Sequence, residues 1–225
     1  MHTIFITGTD TGVGKTRVAC ALLRRARDRG LRAAGFKPVA SGSEHTPAGL
    51  RNEDAQALLA ESAPGLDYDA VNPVTLEPAI APHLAARAAG VAIDPLRLDR
   101  AYECLAAQHE RIVVEGAGGW RVPLNDRTGF DDWVAARRWP VVLVVGMRLG
   151  CINHALLTAE AVSRRTPFAG WVANLLPPGQ PHWEENVETL RQRIDAPLLG
   201  IVPMHASVDV AATQLRWPDE TAATP

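Results

Sequence analysis

The chain has 225 residues, 47% of them hydrophobic, and its 23 Lys and Arg nearly balance 25 Asp and Glu for a formal net charge of −2. That length and apolar content suit one α/β domain over 1–225 with a sizeable core, and the scattered basic residues exclude nucleic acid and anionic membranes as expected partners. Cys20, Cys104 and Cys151 are odd in number, widely spaced and without a CxxC pair, which excludes a disulfide framework and a zinc site.

The first strand is expected over 3–7, followed by the turn Gly8-Thr9-Asp10-Thr11-Gly12-Val13-Gly14-Lys15-Thr16 and a helix over 15–27. Glycines let the backbone curl so that successive N–H groups point inward, and the helix behind adds the partial positive charge of its N-terminus. Phosphate oxygens fit such a cradle. Lys15 would reach the outer phosphates as a point charge, and the Thr16 hydroxyl would take one coordination place on Mg²⁺. The strict spacing of the phosphate-binding loop wants glycine at position 9, whereas this chain has Thr9 and places glycine at 8, so the loop is a variant. Partition-type ATPases carry a second lysine five places before the first. Asp10 stands there in this chain and disfavours a switch ATPase of that kind.

A strand over 33–36 delivers Lys37, and Pro38 ends regular structure behind it. The helix over 52–61 opens on Asn52 as its cap. Asp54 in its first turn reads either as a metal carboxylate or as a complement to the helix dipole, worth about 0.3–1 kcal/mol. The Pro-rich stretch 72–82 reads as a loop. A helix over 96–109 precedes the strand 111–114, which ends in Glu115 and the glycine run Gly116, Gly118 and Gly119. A carboxylate at the end of a buried strand calls for a cation, and Mg²⁺ accepts one or two carboxylates with phosphate oxygens and water. Helices over 130–136, 153–164 and 183–194 then alternate with strands over 141–145, 170–173 and 198–202, with a Pro-rich loop at 177–181. After 215 no periodicity remains, and that tail is expected to fray.

Strand and helix alternate throughout, which implies a mostly parallel sheet, and continuously apolar strands imply helices on both faces. The expected fold is a doubly wound α/β sheet of the P-loop NTPase type. Ligands of such sheets bind outside the carboxyl ends of the strands, so Gly8, Lys37, Glu115, Gly146, Asn174 and Pro203 would share one crevice.

Four segments carry a family resemblance: Gly8-Thr9-Asp10-Thr11 with Val13-Gly14-Lys15-Thr16, Lys37-Pro38-Val39-Ala40-Ser41-Gly42, Val114-Glu115-Gly116-Ala117-Gly118-Gly119 and Gly150-Cys151-Ile152-Asn153-His154. With colinear spacing to about Pro203, the chain resembles the dethiobiotin synthetase family. The resemblance implies ATP- and Mg²⁺-dependent closure of a cyclic urea from 7,8-diaminononanoate and CO₂, through a carbamate and its mixed anhydride with phosphate. It implies that Lys37 is catalytic with Lys15 and Thr11, and that Thr16, Asp54 and Glu115 bind Mg²⁺. Gly12, Val13, Gly14, Lys15, Thr16, Arg17, Gly116, Ala117 and Gly118 would contact the nucleotide, with Asn174, Pro203, Met204 and His205 around adenine. Thr11, Lys37, Ser41 and Gly118 would line the diamine site. Arg148, Gly150, Cys151, Ile152 and Asn153 would hold the substrate's tail carboxylate beside the interface of a homodimer.

Two departures bear on the nucleotide: Gly12 and Leu175 stand where relatives often carry acidic residues. Read without the resemblance, the same loop also suits a small-molecule kinase or a nucleotide-switched, partner-binding ATPase. A helix start near Asn153 suits either a carboxylate or an ordinary cap. The expected setting is cytoplasmic, since no signal-peptide pattern opens the sequence and apolar runs such as 141–145 fall far short of the ~20 residues of a membrane span.

Overall fold

Apolar strands alternate with amphipathic helices, and the computed structural model, which describes residues 2–223, gathers six of those strands into one sheet. β1 (Thr3–Gly8) leads through the glycine-rich turn into α1 (Lys15–Asp28), which returns to β2 (Ala33–Phe36). Short pieces follow: β3 (Val39–Ala40), the hairpin strands β4 (Glu44–Thr46) and β5 (Gly49–Arg51), α2 (Glu53–Glu61), α3 (Tyr68–Val71), β6 (Val74–Thr75) and α4 (Pro82–Ala88). Then come α5 (Pro95–Ala106), β7 (Arg111–Glu115), α6 (Phe130–Ala136), β8 (Val141–Met147), α7 (Cys151–Ser163), β9 (Phe168–Leu175), α8 (Trp183–Arg193), β10 (Leu198–Val202) and α9 (Val208–Gln214).

The central sheet has the order β10-β9-β8-β1-β7-β2, and every neighbouring pair is parallel. β1 sits inside the sheet, with later strands added on both sides of it, so the chain reverses direction across the sheet beside β1. A ligand crevice is expected at such a switch point. Register brings the carboxyl ends together: Ile6 pairs with Glu115, Gly8 with Val144 and Gly146 with Asn174.

Successive residues of these buried strands serve opposite faces. Ile4, Ile6, Val142 and Val144 pack with Val18 and Leu22 of α1, Leu58 of α2 and Ala211 of α9. Phe5, Ile112 and Val114 pack with Leu98 and Tyr102 of α5 and Phe130 and Trp133 of α6. Leu143, Val145 and Trp171 pack with Ala155 and Ala159 of α7 and with Leu190 of α8. The doubly wound expectation is met.

Two segments differ from the expectation. The stretch 72–82 contains β6, which pairs in parallel with β3, and its last residue opens α4. Beyond 215 the aperiodic tail carries Trp217, which is buried and donates its indole N–H to the Leu22 carbonyl at 3.1 Å. A single large plug anchors a segment without leaving any periodic signal. Residues 224 and 225 of that tail lie outside the described residues. The three cysteines are unpaired, and no helix among the described residues is long and apolar enough to cross a membrane.

Candidate active site

The turn after β1 is held by the sheet it leaves, because the Thr9 N–H donates to the Val144 carbonyl at 3.0 Å. Gly12 and Gly14 have φ of 72° and 91°, in the left-handed region that glycine adopts without strain. Gly14 is also the residue before α1, whose first N–H groups lack partners within the helix. A side chain at Gly14 would put its Cβ 2.1 Å from Asn174 Nδ2, whereas a Cβ at Gly12 would meet nothing within 4 Å. Gly14→Ala should therefore destabilise by about 3 kcal/mol, combining left-handed strain with overpacking, and Gly12→Ala by about 1 kcal/mol from strain alone. Urea denaturation of both variants checks this; equal losses would refute the close approach to Asn174.

Lys15, buried at the helix start, donates to the carbonyl of Asp10 at 2.9 Å. Burial and then the nearby Lys37 ammonium push its pKa down to about 8. Such a cation gains most when a triphosphate brings negative charge beside it.

Four side chains from four elements meet beneath the loop. Thr16 on α1 has one hydroxyl proton and lies 2.7 Å from Asp54 Oδ1 and 2.9 Å from Glu115 Oε1. Lys37, just past β2, places its ammonium 2.7 Å from Glu115 Oε1 and 2.9 Å from Asp54 Oδ2. Lys37 is 3% exposed and Glu115 0%. Burial works against the Lys37 ammonium, but Glu115 and Asp54 outweigh it and hold its pKa above the usual lysine value. Burial pushes the Glu115 carboxyl above the usual carboxylate range against the pull of Lys37. Asp54 lies below that range: burial opposes its charge, and Lys37 with Thr16 more than offsets it.

This set fits Mg²⁺. Three hard oxygen donors converge, and Glu115 Oε2 is buried with no hydrogen-bond partner among the described residues. Thr16, Asp54 and Glu115 would supply a hydroxyl and two carboxylates, a donor set that Mg²⁺ accepts alongside phosphate oxygens and water.

Asn72 and Tyr68, which sequence reasoning missed, join the expected cap Asn52 in holding Lys37 in place. The Lys37 N–H donates to the Val71 carbonyl at 2.8 Å, and Asn72 Nδ2 donates to the Lys37 carbonyl at 2.7 Å. The Tyr68 hydroxyl donates to Asn72 Oδ1 at 2.9 Å and accepts from the Asn52 N–H at 2.8 Å. Asn52 in turn caps α2, accepting from the Ala55 N–H at 3.3 Å, so one buried chain ties the backbone of Lys37 to the helix that carries Asp54. No motif marks Tyr68 and Asn72, which stand i, i+4 in a short mixed segment that also holds Asp67 and Asp69.

A cleft of about 660 Å³ lies over the cluster, lined by Thr11, Gly12, Gly14, Lys15, Thr16, Lys37, Ser41, Asp54, Glu115, Ala117 and Gly118. Its other wall is apolar, formed by Ala79, Ile80, Ala81, Pro82 and Val122, none of them expected from the sequence. Asn174 is 1% exposed; its Nδ2 donates to the Val13 carbonyl at 2.8 Å while Oδ1 has no partner among the described residues. A second, apolar slot of about 370 Å³ lies nearby, with Leu175, Leu176 and Met204 in its walls.

The structure does not bring every expected residue into the large cleft. Arg17 on α1, Gly116 just past β7, and Pro203 and His205 on either side of Met204 line neither space. Val13 contributes its backbone, its side chain being fully buried. Gly150 is the cap before α7, and Ile152 and Asn153 lie in the first turn of α7, outside the cleft lining. The Cys151 side chain is buried among Leu143, Val145 and Trp171, and its N–H donates to the Arg148 carbonyl at 3.0 Å. Arg148 turns back to pair with Asp10.

A parallel sheet with a glycine turn entering a helix, and a lysine and a hydroxyl at that entry, define a P-loop nucleotide-binding protein. A family model described as an AAA domain matches residues 2–212. The fold is similar to that of the signal recognition particle receptor FtsY from Elizabethkingia anophelis, with a TM-score of 0.52 at 14% identity, covering 97% of this chain and 63% of that one. Sequence similarity is much closer elsewhere. The ATP-dependent dethiobiotin synthetase BioD of Pseudomonas paraeruginosa is 54% identical over 94% of both chains. That of Aromatoleum aromaticum is 52% identical over 95% of this chain and 96% of its own. BioD 1 of Escherichia coli is 51% identical over 88% of this chain and 89% of its own. The chain belongs to the dethiobiotin synthetase family.

Proposed function

We propose that this protein, as one P-loop domain, closes the cyclic urea of dethiobiotin from 7,8-diaminononanoate, CO₂ and ATP. The reading is carried by the convergence of Lys15 and Lys37 on one cleft, in a chain half identical to dethiobiotin synthetases along nearly its whole length. One amine of the diamine adds to CO₂ and loses a proton, giving a carbamate. A carbamate oxygen takes the γ-phosphoryl group and ADP leaves. The second amine then attacks the carbonyl carbon, the C–O bond to phosphate breaks, and the amine proton goes to solvent or phosphate.

Each stage places negative charge on oxygens, and the residues of the cleft supply fixed cations and donors for it. Lys15 and the first N–H groups of α1 bind the triphosphate, while Lys37 offers its ammonium to the carbamate and its phosphorylated form. Thr11, Ser41 and Gly118 orient the diamine end. Thr16, Asp54 and Glu115 would hold Mg²⁺, which would supply charge neutralisation at the phosphate oxygens. Asn174 Oδ1 is the acceptor available to the exocyclic amine of adenine. The apolar wall from Ala79 to Pro82 suits the methylene chain, and Ile80, 47% exposed, has no core role that competes with it. A homodimer would complete the carboxylate end around 148–153; Leu149, 93% exposed, and Leu157, 60% exposed, support an apolar contact there.

Protein incubated with MgATP, bicarbonate and 7,8-diaminononanoate should form dethiobiotin, detected by mass, and ADP formation should need both bicarbonate and diamine. A kinase would make ADP without bicarbonate, and a switch ATPase would do so without either. Folded protein that makes no dethiobiotin would sink the reading.

A further inference from the structure

Asp10 lies in the phosphate loop but does not line the cleft, and its side chain reaches another element of the fold. Its three oxygens do three things. Oδ1 accepts the N–H of Thr11 at 2.7 Å, the carbonyl accepts the Lys15 ammonium at 2.9 Å, and Oδ2 pairs with the Arg148 guanidinium. Arg148 leads into the turn before α7, where the Cys151 N–H closes on the Arg148 carbonyl.

We propose that Asp10 is a positioning residue that joins the two ends of the site, its Oδ1 fixing the loop peptide that presents Thr11 and Lys15, and its Oδ2 holding Arg148 at the carboxylate end. The proposal deepens the functional reading above and rests on it for the role of Arg148. Both partners of the pair are about half exposed, with side chains 49% and 46% accessible, so the pair orients more than it stabilises. The backbone N–H of Thr11, and then Arg148 and His154, hold the Asp10 carboxyl below its usual range, so it carries its charge at neutral pH. An amide at this position keeps an acceptor for Thr11 and loses the charge for Arg148; a methyl loses both.

Two variants therefore separate the two tasks. Asp10→Asn should leave the KM for ATP within about twofold and raise the KM for the diamine about fivefold, the upper end for an exposed ion pair. Asp10→Ala should do the same to the diamine and in addition raise the KM for ATP about fivefold and lower kcat about tenfold. In an Arg148→Met background, Asp10→Asn should add nothing, because it acts through Arg148. An Asp10→Asn effect of equal size in both backgrounds, or absent from both, would overturn the proposal, as would Asn and Ala variants alike in their KM for ATP. Calorimetric titration with ADP alone should separate the variants in the same order, and thermal midpoints within a few degrees of the parent exclude misfolding. If the parent makes no dethiobiotin, the functional reading fails first, and the ADP titration still decides the loop half of the inference.

Discussion

Lys37→Ala should lower kcat by about 10²–10³-fold, the loss typical of removing one charge-stabilising donor from an active site, while the KM for ATP changes little. Steady-state turnover with saturating bicarbonate and diamine measures it, and retained turnover would remove Lys37 from the chemistry. The same substitution also acts on stability. Glu115 is fully buried with its carboxylate 2.7 Å from the Lys37 ammonium, and breaking such a pair from one side costs about 3–5 kcal/mol where the remaining charge persists. Glu115 can escape by taking a proton, since burial already pushes its pKa up.

The sign of the pH dependence follows from linkage. A carboxyl whose folded pKa is raised contributes most below its unfolded pKa, and the contribution is lost as pH rises through the folded one. Lys37→Ala raises the Glu115 pKa further, so its stability deficit should be small near pH 4.5 and grow toward pH 8. Urea denaturation at both pH values tests this, with Lys37→Met as a companion that keeps the stem's packing. A deficit independent of pH would mean that Glu115 does not carry the charge that Lys37 neutralises.

The six strands of the central sheet were legible because each is a short apolar run, five of them with β-branched residues and β2 with none, and such runs survive without any knowledge of partners. Their order was not legible, since β7 comes to lie between β1 and β2 through a crossover that leaves no local mark. β3 and β6 have two residues each, too short for any period to register. The hairpin β4–β5 buries none of its residues fully, so it lacks the apolar alternation that betrays a half-buried strand.

The site divides in the same way. Lys15 and Thr16 are fixed by sequence-local geometry, and Lys37 and Glu115 were expected at strand ends on the same sheet edge. That Thr16 and Lys37 would each come within 3 Å of both Asp54 and Glu115 depends on the tertiary fold. The apolar wall at 79–82 and the Asn72–Tyr68–Asn52 chain have no motif, because packing against an alkyl chain or holding a backbone needs only residue size or an amide. For Arg148 the resemblance supplied a role, but its pairing with Asp10 joins residues 138 apart and could not be read from either segment.

Glu115→Gln should have the second of the two largest effects, and its pH signature differs from that of Lys37→Ala. The amide keeps the shape and removes one of two carboxylates from the candidate Mg²⁺ site. Turnover at saturating MgATP should fall about 10²-fold or more, since a bound divalent ion contributes several kcal/mol of charge stabilisation in such reactions. The Mg²⁺ concentration for half-maximal rate should rise about tenfold or more. A variant with an unchanged Mg²⁺ requirement would exclude Glu115 as a ligand. Lys37 keeps Asp54 at 2.9 Å but loses the group that most raises its pKa, while burial still opposes its charge. A lysine lowered in the folded state binds fewer protons than in the unfolded chain, so stability should recover as pH rises toward the ordinary lysine value. Above pH 8, then, the deficit of Glu115→Gln should shrink while that of Lys37→Ala persists. Parallel urea series at pH 8 and 9.5 distinguish the two, and deficits that run parallel would show that the buried pair is not ionised as the geometry requires.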